Sequence, residues 1–306
     1  MKKESIKGKI ILLIASILWG FAFVAQNKVA NLVDTFTLNG IRCLLSALFL
    51  FPFVLIRKKK KTSELKPKKN LWISGIICGI FLCIAMNLQQ FGISTYPDGI
   101  ASSGRSGFIT ALYVVFVPLM SLFFKKRLHI NNLISSILAT LGMYLLCFNS
   151  KIDSIYIGDL IVLGCALAFS FQILFVDKYS NVVDGFQLSF LQFLTCGILS
   201  SILMFIFEKP NLKNILSASL PILYLAIVSN GIGYTLQIIG QKYSKSPTID
   251  SIIMSLESVF AAIGGAIFLK EQLTNRELIG CFILFLAVII AQIPFHRLSK
   301  KAKTKV

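Results

Sequence analysis

The chain has 306 residues, 56% of them hydrophobic and only 14% charged, a balance too apolar and too sparsely charged for a soluble domain of this size. Its net charge is +18, but the basic residues sit in short runs between long apolar stretches. That pattern argues against a nucleic-acid partner and for contact with anionic lipid headgroups.

A membrane-spanning helix needs roughly 17–25 mostly apolar residues. Ten segments meet that requirement: 9–26, 36–56, 71–91, 99–124, 130–149, 157–176, 186–207, 220–240, 247–269 and 277–295. The first follows a basic stretch and resembles a secretory signal, but no small-residue cleavage site follows, so it reads as a retained first helix. The longest connection, RKKKKTSELKPKKN at 57–70, leaves no room for a soluble domain. No segment alternates apolar and polar residues as a barrel strand would. All seven cysteines (Cys43, Cys78, Cys83, Cys147, Cys165, Cys196 and Cys281) lie inside apolar segments, so they read as small buried hydrophobes with no disulfide and no metal site. His129 and His296 lie at segment ends and read as interfacial.

Cytoplasmic loops carry the excess of Lys and Arg. With the N-terminus inside, 23 of these residues fall on the cytoplasmic side and 6 outside, so both termini are expected in the cytoplasm.

The chain also repeats itself. A shift of 150 residues aligns Gly8 to Leu38 with 158–188 without a gap, pairing Gly8/Gly158, Lys28/Lys178, Asn31/Asn181 and Asp34/Asp184. A shift of 148 pairs Leu88, Gln89 and Gly92 with Leu236, Gln237 and Gly240. A shift of 145 pairs Phe123, Lys125 and Leu128 with Phe268, Lys270 and Leu273. Matches at Lys, Asn and Asp are not expected by chance between apolar segments. The expected fold class is therefore an all-α membrane protein of ten transmembrane helices in two five-helix repeats, 1–150 and 151–295, with a basic cytoplasmic tail at 296–306. Five is odd, so the second repeat enters the membrane inverted, a recurring plan of secondary transporters.

Four stretches carry a family resemblance: ILWGFAFVAQ (17–26), FITALYVVFVPL (108–119), SLESVFAAIGGAIFLKEQLT (255–274) and LIGCFILFLAVIIA (278–291). They resemble the first, fourth, ninth and tenth helices of the EamA family in the drug/metabolite transporter superfamily. The resemblance implies a central cavity lined mainly by helices 1, 3, 4, 6, 8 and 9. One departure is FFKKRLHI, which places Lys126 where the second half has Glu271.

Ionisable and amide side chains at membrane depth are costly and usually face the bundle interior. In the fourth segment Gly99, Ser103 and Gly107 form a small-residue face suited to close helix packing. Arg105 sits there beside Ser102 and Ser106; it reads either as a cation reaching to headgroups or as a buried cation for a substrate carboxylate. In the ninth segment Asp250 reads as an interfacial cap. Glu257, deeper, reads as a structural partner or as a substrate-amine or proton site. Asn87, Gln89 and Gln90 in the third segment, and Asn230, Tyr234, Gln237 and Gln241 in the eighth, are either substrate ligands or interhelical glue. Trp19, Gln26 and Gln172 complete the expected lining, while Arg42 in the second segment reads as structural. The substrate-binding set is thus Arg105, Glu257, Trp19, Gln26, Ser102, Asn87, Gln89, Gln172, Asn230, Tyr234 and Gln237.

No Ser/His/Asp set, metal-ligand spacing or Gly-rich phosphate loop is present, so no enzyme activity and no cofactor is expected. The expected function is secondary transport of small metabolites across the cytoplasmic membrane, with the resemblance favouring export of amino acids or related solutes. Translocation of a lipid-linked substrate and an intramembrane enzyme are the alternatives; a channel lacks a visible filter. The expected partners are a small-molecule substrate and membrane lipids. Coupling to protons or ions and homo-oligomerisation stay open.

Overall fold

The computed structural model describes residues 2–30, 32–60, 68–96, 102–123, 130–147, 155–269 and 274–292. The regular structure among them is entirely helical. In chain order it comprises α1 (Lys2–Ala30), α2 (Thr35–Lys60), α3 (Lys68–Thr95), α4 (Ser102–Ala111), α5 (Tyr113–Ser121), α6 (Ile130–Cys147), α7 (Ile157–Tyr179) and α8 (Gly185–Phe207). Then follow α9 (Leu212–Ser217), α10 (Ser219–Leu223), a π-helical segment (Tyr224–Tyr234), α11 (Thr235–Ser244), α12 (Pro247–Met254), α13 (Glu257–Leu269) and α14 (Asn275–Ala291).

Helix occupies each of the ten apolar segments. Among the described residues, seven stretches are long and apolar enough to cross a bilayer: Glu4–Ala30, Thr35–Arg57, Asn70–Thr95, Ile157–Tyr179, Gly185–Phe207, Ser219–Ser244 and Pro247–Gly264. The shorter Ser106–Ser121, Ile130–Leu146 and α14 fill the other three. Gly99, Lys126, His129, Glu271, His296 and the side chains of Ser103 and Cys147 lie outside the described residues.

The helix ends follow local chemistry. Asp184 is the N-cap of α8, accepting from the backbone N–H of Phe186 (3.0 Å) and Gln187 (3.4 Å), and its carboxylate also meets Arg57 Nη1 at 3.1 Å. At the opposite end of the same helix pair, Glu208 accepts from the N–H groups of Phe36 (2.8 Å) and Thr37 (2.7 Å) at the start of α2. An acid thus closes each helix N-terminus of the α2–α8 pair, where unpaired N–H groups and the helix dipole favour negative charge. Lys245, at φ 62°, ends α11 in a left-handed cap, and Pro247 starts α12 two residues on, so the turn between them is tight.

Packing pairs the two halves. The strongest partnerships are α6 with α14, α2 with α8, α3 with α7 and α8, and α1 with α11 and α13. Glycines let backbones touch at these seams. A Cβ on Gly8 of α1 would lie 2.6 Å from the carbonyl oxygen of Gly240 on α11. A Cβ on Gly158 of α7 would lie 2.9 Å from the carbonyl oxygen of Gly92 on α3. The sequence repeat equates Gly8 with Gly158 and Gly92 with Gly240, so it exchanges these two contacts. Gly142 of α6 and Gly280 of α14 meet in the same way.

Gly107, from the small-residue face of the fourth segment, behaves differently: its nearest neighbour is the Phe23 ring at 3.9 Å, an ordinary contact. Substitution tests the distinction. Gly280→Val places a Cβ 2.6 Å from backbone atoms of α6 and is expected to cost about 1–3 kcal/mol. Gly107→Ala should stay within about 0.5 kcal/mol of the parent. Thermal unfolding followed by fluorescence-detected gel filtration reads both, and equal effects would contradict the packing described.

Candidate functional site

The site forms where two helices are interrupted. The fourth segment breaks at Leu112, between α4 and α5, and the ninth breaks at Ser255–Leu256, between α12 and α13. At both breaks the backbone tightens to i−3 bonds: Leu112 N–H donates to Ile109 O (3.2 Å), Val115 to Leu112 O (2.9 Å), Leu256 to Ile253 O (3.2 Å) and Ser258 to Ser255 O (3.1 Å). Such a turn inside a helix marks a point where the chain can bend. Tyr113 and Glu257 are the first residues after the two breaks. Their side chains meet: the Tyr113 hydroxyl donates to Glu257 Oε1 at 3.0 Å.

A third irregularity faces them. The π-helical segment carries Ser229, Asn230 and Tyr234 toward the same space. Trp19 of α1 packs on it, donating Nε1–H to the Ser229 carbonyl (3.1 Å) and setting its ring 4.7 Å from that of Tyr234. Gly233 makes room, since a Cβ there would lie 2.7 Å from Trp19 Nε1.

Between these elements lies a cavity of about 50 Å³, room for a few water molecules. Apolar residues Phe23, Met86, Phe169, Ile173 and Met254 share its wall with polar groups. Two amide pairs brace it. Gln26 of α1 donates to Gln89 of α3 (3.1 Å), and Gln89 donates on to Thr110 of α4 (3.2 Å). In the second half Gln237 of α11 donates to Gln172 of α7 (3.1 Å), which donates to Gln192 of α8 (3.3 Å). Each pair joins the first and third segments of its own half.

Most of the residues expected from sequence converge here. Trp19, Gln26, Gln89, Gln172, Asn230, Tyr234, Gln237 and Glu257 all line the cavity, and Glu257 is buried. Asn87 is not among the lining residues. It accepts from Asn39 of α2 (2.8 Å) and donates to Ser200 of α8 (2.9 Å) and to the Cys83 carbonyl (2.8 Å). Gln90 is buried with neither amide atom hydrogen-bonded, and Gln241 donates to the Ile173 carbonyl at 3.1 Å. The side chains of Ser102 and Arg105 lie outside the described residues. Asp250, in the first turn of α12, is fully buried, and Lys9 of α1 lies within its electrostatic reach.

Sequence reasoning missed Arg42, Thr110 and Tyr113 in the lining. Arg42 had the same signal as Arg105, a charge in mid-segment. Tyr113 lies one residue from Leu112, which the 145-residue shift already aligns with Glu257.

The two environments of helix α3 separate by substitution. Asn87→Leu strands the groups on α2 and α8 that Asn87 satisfies and is expected to cost about 1–3 kcal/mol of stability. Transport per folded molecule should be unchanged. A change in transport with stability unaltered would place Asn87 in the site after all.

Comparison with known proteins gives the family. The model of the EamA-like transporter family matches residues 6–148 and again 156–292. An uncharacterized transporter of Archaeoglobus fulgidus is 28% identical over 283 residues, covering 92% of this chain and 84% of that protein. The uncharacterized transporter YoaV of Bacillus subtilis is 20% identical over 289 residues, covering 92% of this chain and 95% of that protein. A solved structure, titled only as a crystal structure of a protein, shares the fold with a TM-score of 0.77 at 18% identity, over 95% of this chain and 98% of that one. With its family model matched along nearly the whole length, this membrane protein belongs to the EamA-like transporter family.

Proposed function

We propose that this protein is a secondary transporter that exports amino acids or related small solutes across the cytoplasmic membrane by alternating access. In this reading ten transmembrane helices form two inverted halves, 1–150 and 151–295. Both termini, including the basic tail 296–306, are cytoplasmic.

One observation carries the reading: the polar cavity sits where two helix breaks and a π-helical segment converge. Substrate sites of secondary transporters lie at the interface of repeats and are built from discontinuous helices. The exchange of glycine contacts by the sequence repeat, Gly8–Gly240 for Gly158–Gly92, supports the inverted halves. It is the pattern a two-fold relation between the halves produces, and the odd number of helices in each half turns that relation into an inversion. The positive-inside bias supports the orientation. The cavity's small volume supports a closed state, from which either half must shift to admit a solute.

The test is exchange in proteoliposomes. Purified protein is reconstituted, vesicles are loaded with unlabelled amino acids, and entry of labelled leucine or phenylalanine is followed with and without a proton gradient. Wild type should exchange at least one of them. Glu257→Gln keeps the shape of the carboxyl group and should slow exchange roughly tenfold or more while the protein remains folded. Wild-type exchange in Glu257→Gln would remove Glu257 from the pathway. Failure of wild type on a broad amino-acid panel would end the amino-acid reading.

A further inference from the structure

Arg42 lies within α2, the helix paired with α8, and is buried (2% exposed), yet it forms part of the cavity wall. Its Nε has no hydrogen-bond partner, and no described carboxylate lies within ion-pair distance of it. The cavity's acid, Glu257, is engaged by Tyr113. A guanidinium does not shed its proton in proteins. The cavity wall therefore carries a fixed positive charge with no described carboxylate within ion-pair distance, and it shares that wall with Glu257.

We propose that Arg42 is the residue that recognises the substrate's anionic group, binding a carboxylate in the cavity. This rests on the transporter reading above and deepens it. A guanidinium fork fits a planar carboxylate through two parallel hydrogen bonds, a match stronger and more directional than a point charge provides. Glu257, a wall residue on α13, offers the complementary acid. Trp19, Phe23 and Phe169 supply apolar surface to the same space. A solute that answers all three carries one carboxylate, one amine and an apolar side chain. The cargo's carboxylate then pairs with Arg42 and its amine with Glu257, so a zwitterion bridges the two wall residues without changing the cavity's net charge.

The protein supplies its own reporter. It has two tryptophans, Trp19 in the cavity and Trp72 on the exposed surface of α3, so a Trp72→Phe background isolates the cavity signal. Leucine, isocaproate (its deaminated analogue) and isoamylamine (its decarboxylated analogue) are titrated against the purified full chain. The expected order of affinity puts leucine and isocaproate ahead of isoamylamine. Arg42→Gln should weaken leucine and isocaproate roughly tenfold or more and leave isoamylamine unchanged. Should Arg42→Gln fail to fold, Arg42→Lys keeps the charge and loses the fork; it should weaken leucine several-fold with isoamylamine unaltered. Unchanged leucine affinity in the folded variant overturns the proposal. So does a wild type that prefers isoamylamine to isocaproate. Loss of carboxylate binding in Arg105→Gln with Arg42→Gln intact moves the anion site to α4 and also overturns it. Leucine exchange in proteoliposomes at wild-type KM in Arg42→Gln would leave the transporter reading standing without Arg42. Isocaproate binding that depends on Arg42, with no exchange by wild type, would leave the carboxylate site standing without the amino-acid transporter.

Discussion

Hydrocarbon offers no hydrogen-bond partners, so each polar side chain inside a membrane span must be satisfied by another span or by a wet cavity. The rest of this structure follows from that constraint. Gln172, Gln192, Gln237 and Gln241 are buried among helices, while Leu48 (68% exposed), Ile137 and Phe205 face outward. Amides can bond one another, and the chains Gln26–Gln89–Thr110 and Gln237–Gln172–Gln192 do so across three helices each, leaving Gln237 Oε1 and Gln192 Nε2 without a partner. A buried charge has fewer options. On the insertion scale a charged side chain at helix centre costs about 2.5–3.5 kcal/mol. Arg42 and Glu257 are ionisable residues of this kind, and both border the cavity that the amides brace.

Much of this was legible in the sequence because symmetry constrains it twice. Gly8, Gly92, Gly158 and Gly240 stand out as repeated residues, and the same four positions turn out to be where backbones of opposite halves touch. What was not legible depends on which way a side chain points. Asn87 and Gln89 are two residues apart, hence about 200° around a helix, and cannot serve one site. Their shared chemistry made them look alike; Asn87 faces α2 and α8, and Gln89 faces the cavity. Arg42 reads from sequence as structural, whereas the fold places it in the cavity wall. Asp250 lies near a segment end in sequence, but packing of α12 against α1 buries it.

The helix breaks were the least legible feature. Neither Leu112 nor Ser255–Leu256 contains proline or glycine, so no local propensity announces them. They arise from tertiary context, and they place Tyr113 and Glu257 opposite each other at 3.0 Å. Irregular backbone at such a depth is tolerated where it is buried in protein or lines a cavity. Here it does both. The breaks link sequence to dynamics: a helix with a tightened turn can bend there without unfolding, and the bend moves the residues that border the cavity.

Alternating access requires that this cavity open to each side of the membrane in turn. Gln172 tests it, being fully buried at the cavity wall on α7. Gln172→Cys in a cysteine-free background is treated with a membrane-impermeant thiol reagent, once in right-side-out vesicles and once in inverted ones. The account predicts labelling from both faces, slowed in each case by transported solute. Labelling from one face only, or from neither, would contradict it.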